Sequence, residues 1–414
     1  MKPSRPSNKE GMSMFAKLVV VMLAAILSVP ALADAPNIVI VLRDDVGTST
    51  LAPYETPNLD RIANAGMTLT GHYAEPMCTP SRAALLTGRQ PLRSGTQSNF
   101  STSSLSGMSV AERTMADILR ESGYSTAMFG KWHLGRSSQT YWPTQRGFDH
   151  AVWHQSGMTE DTWTTYYDND VLFSAPKKSP EAKLELSRIT SNIYNNALAW
   201  MWAQPGPFFA YIAEAMMHMP YKCAEPLPDE SVAACAARES DVALGSLYDA
   251  LPDNTLLLVV GDNGAVLEID NAPFRGKKFQ MLEGGIRTPA VIAGPGIPVG
   301  SVSTEPVWIG DWLPTFVNLA GAQLPTDRVI DGHDVGQVVN GSGTRPSNMF
   351  WFEKALRVGC DKFIAKSANV PEDVLYNVCS DQSELTPVID PERQSVLKQE
   401  FLTLRTAYRE TGIE

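Results

Sequence analysis

The sequence predicts an α/β protein with a mostly parallel sheet packed between helices. Three observations predict it. Residues 37–42, 207–213 and 255–260 are short apolar runs, dominated by β-branched, aliphatic or aromatic side chains. That is the pattern of strands buried on both faces. Stretches with apolar residues at helical spacing lie between them. Charged and polar residues follow the runs directly, where open α/β sheets place their sites, outside the carboxyl ends of strands. A chain of 414 residues, 43% hydrophobic and 19% charged, suits one large domain plus a smaller one.

The N-terminus reads as a targeting segment. Lys2, Arg5, Lys9 and Lys17 make it basic, residues 18–27 are unbroken apolar, and Ala31-Leu32-Ala33 is a small-x-small cleavage site. The apolar run is too short to span a bilayer. Residues 1–33 are therefore expected to be a signal peptide. The mature chain would start near Asp34 and be exported, periplasmic or secreted, with no stable membrane insertion after cleavage. The net charge of −11 becomes more negative once the basic leader is gone. An acidic body disfavours nucleic acid and leaves any anionic substrate to a local cationic pocket.

The first apolar run ends in Arg43-Asp44-Asp45-Val46-Gly47. Adjacent carboxylates repel unless a cation sits between them, which favours a hard metal over a mere polar turn. Thr56 and Pro57 open a helix that Gly66 ends. Thr79 and Pro80 open the next, Ala83, Ala84, Leu85 and Leu86 propagate it, and Gly88 stops it. Cys78 then stands at the positive end of that helix, with Arg82 one turn in, and a guanidinium fork fits a tetrahedral oxyanion. An ordinary buried cysteine is the alternative. Ser109-Val110-Ala111-Glu112 reads as a capping box before a helix with Met115, Ile118 and Leu119 on one face.

A strand over 125–129 delivers Gly130-Lys131-Trp132-His133-Leu134-Gly135. In extended chain Lys131 and His133 point the same way, a pairing suited to anion binding and proton transfer. A solvated strand end is the alternative. Trp142, Phe148, Trp153, Trp163, Tyr166 and Tyr167 either stack on a sugar or aryl ring or pack locally, with packing favoured. A helix over 186–202 and the run 207–213 lead to His218-Met219-Pro220. Leu244, Leu247, Tyr248 and Leu251 mark a further helix. The run 255–260 ends in Gly261-Asp262-Asn263-Gly264; Asp262 and Asn263 offer hard oxygen ligands, unless Asn-Gly is a hairpin turn. Residues 290–293 read as a strand and 311–320 as a helix capped by Asp311. After Thr344, strand-like pieces at 349–352, 362–365 and 375–377 and a helix over 391–410 read as a small C-terminal α+β subdomain.

Five separated segments occur in a recognisable order: Asp44-Asp45; Cys78-Thr79-Pro80-Ser81-Arg82 with Leu86-Thr87-Gly88-Arg89; the Gly130–Gly135 segment; Asp262-Asn263-Gly264; and Glu283-Gly284-Gly285-Ile286-Arg287-Thr288-Pro289. From about Pro36 to Asn377 the chain resembles the type I sulfatases. The resemblance implies an alkaline-phosphatase-like sandwich, with a catalytic domain over 34–343 and a C-terminal subdomain over 344–414. It implies hydrolysis of aryl or carbohydrate sulfate esters to alcohol and inorganic sulfate. It implies that a formylglycine-generating enzyme oxidises Cys78 to formylglycine, the nucleophile. Asp44, Asp45, Asp262, Asn263 and modified Cys78 would hold one Ca2+, or alternatively Mg2+. Arg82, Lys131 and Lys278 would neutralise the sulfate, His218 or Lys278 would protonate the leaving alcohol, and His133 would take a proton from the nucleophile's second hydroxyl.

Lys278 is reached by counting back from Glu283, and Lys277 stands where the family commonly has glycine. Arg43, Thr48-Ser49-Thr50 and Met217 also depart from the family pattern. With Cys78 set aside, Cys223, Cys235, Cys360 and Cys379 suit disulfides in an exported chain. Local pairing is one of three connectivities, and the spacings do not suit zinc. Two other functions fit the same motifs: a phosphonate monoester or phosphodiester hydrolase, or a non-catalytic binder of sulfated glycans if Cys78 stays unmodified.

Overall fold

The computed structural model describes residues 35–410 apart from 102, 156–164, 175–186, 216, 267–268 and 348. The expected signal peptide and Trp163 lie outside the described residues. The strands are β1 Asn37–Arg43, β2 Met67–Leu69, β3 His72–Tyr73, β4 Ser125–Lys131, β5 His150–His154, β6 Thr165–Asp168, β7 Val171–Ser174, β8 Phe208–Glu214, β9 Thr255–Gly261, β10 Ala290–Ala293, β11 Ser301–Ser303 and β12 Val307–Trp308, followed by β13 Met349–Phe352, β14 Ala355–Val358, β15 Asp361–Ile364 and β16 Val374–Asn377. The longer helices are α1 Pro57–Ala65, α2 Cys78–Thr87, α3 Met115–Glu121, α4 Ile189–Trp202, α5 Val232–Ala250, α6 Trp312–Leu319 and α7 Pro391–Glu410.

Ten strands form one sheet in the order β11-β2-β10-β9-β1-β8-β4-β5-β6-β7. Its centre, β9-β1-β8-β4-β5, is parallel throughout. β10 runs antiparallel between β9 and β2, and β6 and β7 extend the far edge antiparallel. The alternation of β1 explains its unbroken apolar sequence. Ile38, Ile40 and Leu42 pack against α2, α3 and α6 on one face, while Val39 and Val41 pack against α1, α4 and α5 on the other. Both faces of each central strand are dry, so nearly every position is apolar.

Register fixes what matters for the site. Arg43 at the end of β1 aligns with Glu214 of β8 and with Gly261 of β9. The loops after the three strands therefore leave the sheet at one level. A second, four-stranded antiparallel sheet, β13-β14-β15-β16, follows. Leu356, Phe363 and Leu375 meet Leu397 and Phe401 of α7 on one face, and Phe350, Phe352, Ile364 and Tyr376 join the main core on the other.

The caps differ from expectation. α2 begins at Cys78 itself, with Met77 as its N-cap, so Thr79 lies inside the first turn. Its hydroxyl donates to the His133 carbonyl at 2.8 Å, a tertiary bond in place of the expected cap. The capping box of α3 is Thr114 with Asp117, not Ser109 with Glu112. Glu112 instead pairs with buried Arg89 at 3.2 Å. Asp311 precedes α6 without capping it through its side chain. Its carboxylate accepts from Trp308 N, His333 N and Arg345. The aromatics divide as packing predicts: Trp153 stacks on Tyr167 at 4.4 Å with Trp142 against both, and Phe148 sits in the core, while Tyr166 is exposed.

Candidate active site

Two of the loops leaving the carboxyl edge of the sheet carry acids. Asp44 and Asp45 follow β1, and Asp262 and Asn263 lie at the end of β9; all four are buried. Asp45 takes φ 59°, a left-handed conformation that aspartate tolerates better than most residues. Its amide donates to Asp262 Oδ1 at 3.0 Å, and Asn263 Nδ2 donates to Asp45 Oδ1 at 2.8 Å. Gly264 is required next: a Cβ there would collide with the Gly284 carbonyl.

α2 aims its first residue into the same space. Cys78 Sγ is buried 3.3 Å from Asp44 Oδ1 and 3.4 Å from Asn263 Oδ1. The side chains of Asp44, Asp45, Cys78 and Asp262 offer ligand atoms within 4.8 Å of one another. Three carboxylates and an amide oxygen are a hard donor set, which fits Ca2+ or Mg2+.

Cations close the cluster. Lys131 Nζ lies 2.5 Å from Asp44 Oδ2 and 3.4 Å from Cys78 Sγ. Lys278 Nζ lies 2.5 Å from Asp45 Oδ1 and 3.2 Å from Sγ. Arg82 donates to Asp262 Oδ2 from Nη2 at 2.8 Å and from Nε at 3.2 Å, and fixes the Lys131 carbonyl through Nη1 at 2.8 Å. Lys278 therefore reaches the cluster, and the Lys277 backbone amide donates to Gln280 Oε1.

The charges act on one another strongly. Burial alone would raise Asp44, but Lys131, His218, Arg82 and Lys278 together hold it well below the usual carboxylate range. Asp262 is pushed up to about 6 by burial and by the charge on Asp44, against the pull of Arg82. Burial, with Asp262 and Asp44 close by, pushes the Cys78 thiol far up despite the two lysines. A thiol in such surroundings is a weak nucleophile.

The two histidines take different places. His133 does not continue the strand. β4 ends at Lys131 and His133 has φ 59°, so the extended-chain pairing with Lys131 fails. Its Nε2 lies 3.0 Å from the Phe100 carbonyl, and its buried Nδ1 has no partner among the described residues. Burial, then Lys131 and Arg82, keep the imidazole well below its ordinary value, hence neutral. His218 is partly exposed at the rim, with Nε2 3.7 Å from Asp45 Oδ2 and Nδ1 2.6 Å from the Met219 carbonyl.

Outside the cluster, Cys223 pairs with Cys235 and Cys360 with Cys379. The departure at Arg43 is explained by Glu214, 3.4 Å away in the neighbouring strand, which Tyr194 also contacts. Sequence reasoning missed three features around the site. Asn99 accepts from the Thr79 amide at 3.0 Å. Glu283 binds Lys362 and Tyr73. Phe279 stands exposed beside Lys278 with φ 74°. Only Glu283 had a local signal, as the acid that opens its Gly-Gly segment; the partners of the other two lie elsewhere in the chain.

A parallel α/β sheet with a buried, cation-lined acid cluster and a cysteine at its centre defines a hydrolase of the alkaline-phosphatase-like class. Comparison with known proteins narrows it. The Sulfatase family profile matches residues 36–322. Arylsulfatase G of Mus musculus is 34% identical over 366 residues, covering 75% of this chain and 70% of that protein. N-acetylgalactosamine-6-sulfatase of Canis lupus familiaris is 33% identical over 378 residues, covering 81% and 72%. Among solved structures, Ps i-CgsB in complex with k-i-k-neocarrahexaose superposes with a TM-score of 0.79 at 25% identity, covering 91% of this chain and 93% of that one. The phosphonate monoester hydrolase of Agrobacterium radiobacter, at 19% identity and a TM-score of 0.64 over 90% of this chain and 96% of that one, shares the fold. The chain belongs to the sulfatase family and is a sulfuric ester hydrolase.

Proposed function

We propose that the chain is exported and removes sulfate from a sulfated carbohydrate or aryl alcohol, using Cys78 matured to formylglycine. The observation that carries this is the setting of Cys78 Sγ, buried within 3.4 Å of two lysines, an aspartate and Asn263. Burial and the nearby carboxylates disfavour its thiolate, while the two lysines around it suit an oxyanion. Formylglycine would supply a hydrated aldehyde hydroxyl to attack sulfur, and a divalent cation held by Asp44, Asp45, Asp262 and Asn263 would supply positive charge to the sulfate oxygens.

The chain's own residues do the rest. Lys131 and Lys278 flank the nucleophile and neutralise the sulfate, with Arg82 anchoring Asp262 and the end of β4 beside them. Lys278, 2.5 Å from Asp45 Oδ1, or His218, 3.7 Å from Asp45 Oδ2, gives a proton to the leaving alcohol. His133, with a buried Nδ1 that has no partner among the described residues, accepts a proton from the nucleophile's second hydroxyl. Ps i-CgsB is seen in complex with k-i-k-neocarrahexaose, and two relatives are named N-acetylgalactosamine-6-sulfatase and arylsulfatase G. Those names support a ring-bearing sulfate ester as substrate.

Export rests on the leader-like residues 1–33 and on the two cysteine pairs. Among the described residues no helix is long and apolar enough to cross a membrane. Maturation requires a formylglycine-generating enzyme as a transient partner. We assign 34–343 as the catalytic domain and 344–414 as a C-terminal subdomain, supported by the separate sheet β13–β16 and its helix α7. The test is co-expression with a maturing enzyme, then sulfate release from a panel of sulfated monosaccharides, glycans and aryl sulfates. Phosphonate monoesters and phosphodiesters serve as competing substrates. Efficient phosphodiester turnover without sulfate release would overturn the proposal.

A further inference from the structure

The loop that supplies Lys278 carries one residue the chemistry above does not use. Phe279 is 54% exposed and adopts φ 74°. An exposed aromatic alone means little, because folded proteins expose many apolar side chains. A bulky residue held in the left-handed region is different: glycine would adopt it freely, while phenylalanine is strained there. The strain is fixed by contacts on both sides. The Phe279 amide donates to the Pro76 carbonyl at 2.8 Å, two residues before Cys78, and the Lys278 amide donates to the Ala265 carbonyl at 2.9 Å, two residues after Asn263. The ring centroid lies 5.6 Å from Lys278 Nζ, which is itself 3.2 Å from Cys78 Sγ. Lys278 Nζ thus links the exposed ring to the nucleophile position.

We propose that Phe279 is a specificity residue, a stacking platform for the apolar face of a six-membered ring, aryl or pyranose, attached to the sulfate. The inference rests on the sulfatase reading of the pocket. Stacking of this kind changes affinity by about 3- to 10-fold. It also gives a role to a phenylalanine that stands where glycine would be unstrained.

The test uses the calcium-loaded full chain carrying Cys78→Ser, which removes the thiol precursor of the nucleophile. Calorimetry measures inorganic sulfate, ethyl sulfate, phenyl sulfate and galactose 6-sulfate. Phe279→Gly then removes the ring and keeps the backbone conformation at no strain, so Lys278 stays in place. The expected result is weaker binding of phenyl sulfate, galactose 6-sulfate or both by about 3- to 10-fold, with inorganic and ethyl sulfate within about twofold. Which ring compound weakens identifies the aryl or the pyranose source. Phe279→Trp should restore it. Unchanged binding of all four compounds refutes the platform. Equal weakening of all four refutes it too, because Phe279 would then merely hold Lys278. If inorganic sulfate fails to bind even the Cys78→Ser parent, the placing of the sulfate group at this cluster falls, and the platform with it.

Discussion

Lys362→Met is expected to destabilise the protein strongly and to loosen the metal site from a distance. Lys362 is fully buried, with Nζ 2.8 Å from Glu283 Oε1 and 3.0 Å from Glu384 Oε1. Glu384 Oε2 in turn accepts the Glu283 amide at 2.6 Å. Removing the lysine leaves two adjacent carboxylates in a dry interior. Breaking a buried ion pair from one side costs about 3–5 kcal/mol, against a total stability of roughly 5–15 kcal/mol for a typical protein. The pH dependence carries a sign. Burial alone would raise Glu283, but Lys362, Tyr73 and Arg287 together outweigh it and the folded carboxyl is held below its ordinary value. Its contribution is therefore present above the unfolded pKa and lost as pH falls through the folded one. Burial, with Glu283 adding to it, raises Glu384. Glu384 therefore opposes folding at neutral pH, and more so once the lysine is gone. The gap between wild type and Lys362→Met should be widest near neutral pH and narrow on acidification. The effect should reach the site because the Gly285 carbonyl, two residues after Glu283, accepts the Gly264 amide beside Asn263 at 2.9 Å. Urea melts at neutral and acid pH, with calcium affinity measured alongside, test this. Adding Glu384→Gln should recover part of the loss. A difference below about 1 kcal/mol at neutral pH, far short of the cost of stranding a buried charge, or a gap that widens with acid, would refute the reasoning.

Peptide mass spectrometry of active protein should find Cys78 as an aldehyde, and Cys78→Ala should abolish turnover; full activity with an intact thiol would sink the assignment. Chelation should lower Tm and activity together, and calcium at a hundredfold over its Kd should return about 2.7 kcal/mol, an effect that Asp262→Ala should remove. His133→Ala and Lys278→Ala should each lower kcat on the order of 10²-fold, whereas Lys277→Ala should change little; the reverse outcome would move the lysine role. Replacing Cys360 and Cys379 by serine should cost about 3 kcal/mol, as for loops of this order; an unchanged melting curve would argue against that bond.

The central strands were legible because burial on both faces writes itself locally, as unbroken apolar runs such as residues 37–42 and 255–260. Helix α7 was legible to the residue and β10 likewise, although nothing local told that β10 runs antiparallel between β9 and β2. The acids, Cys78, Arg82, Lys131 and Lys278 could be read from their segments and the family resemblance. Their convergence could not be read from any one segment. It comes from the parallel register that aligns Arg43 with Gly261 across 218 positions and brings Asp45 within hydrogen-bonding distance of Asp262 and Asn263. Thr79 looked like a cap because its type and place allow it, but α2 starts at Cys78, so Thr79 falls inside the first turn and its hydroxyl donates to the His133 carbonyl. His133 looked extended because its neighbours do, yet the end of β4 turns it into the left-handed region. Local sequence sets which conformations and chemistries are available at each position. Long-range burial and hydrogen bonding choose among them, because a buried polar group must find its partner wherever the fold provides one.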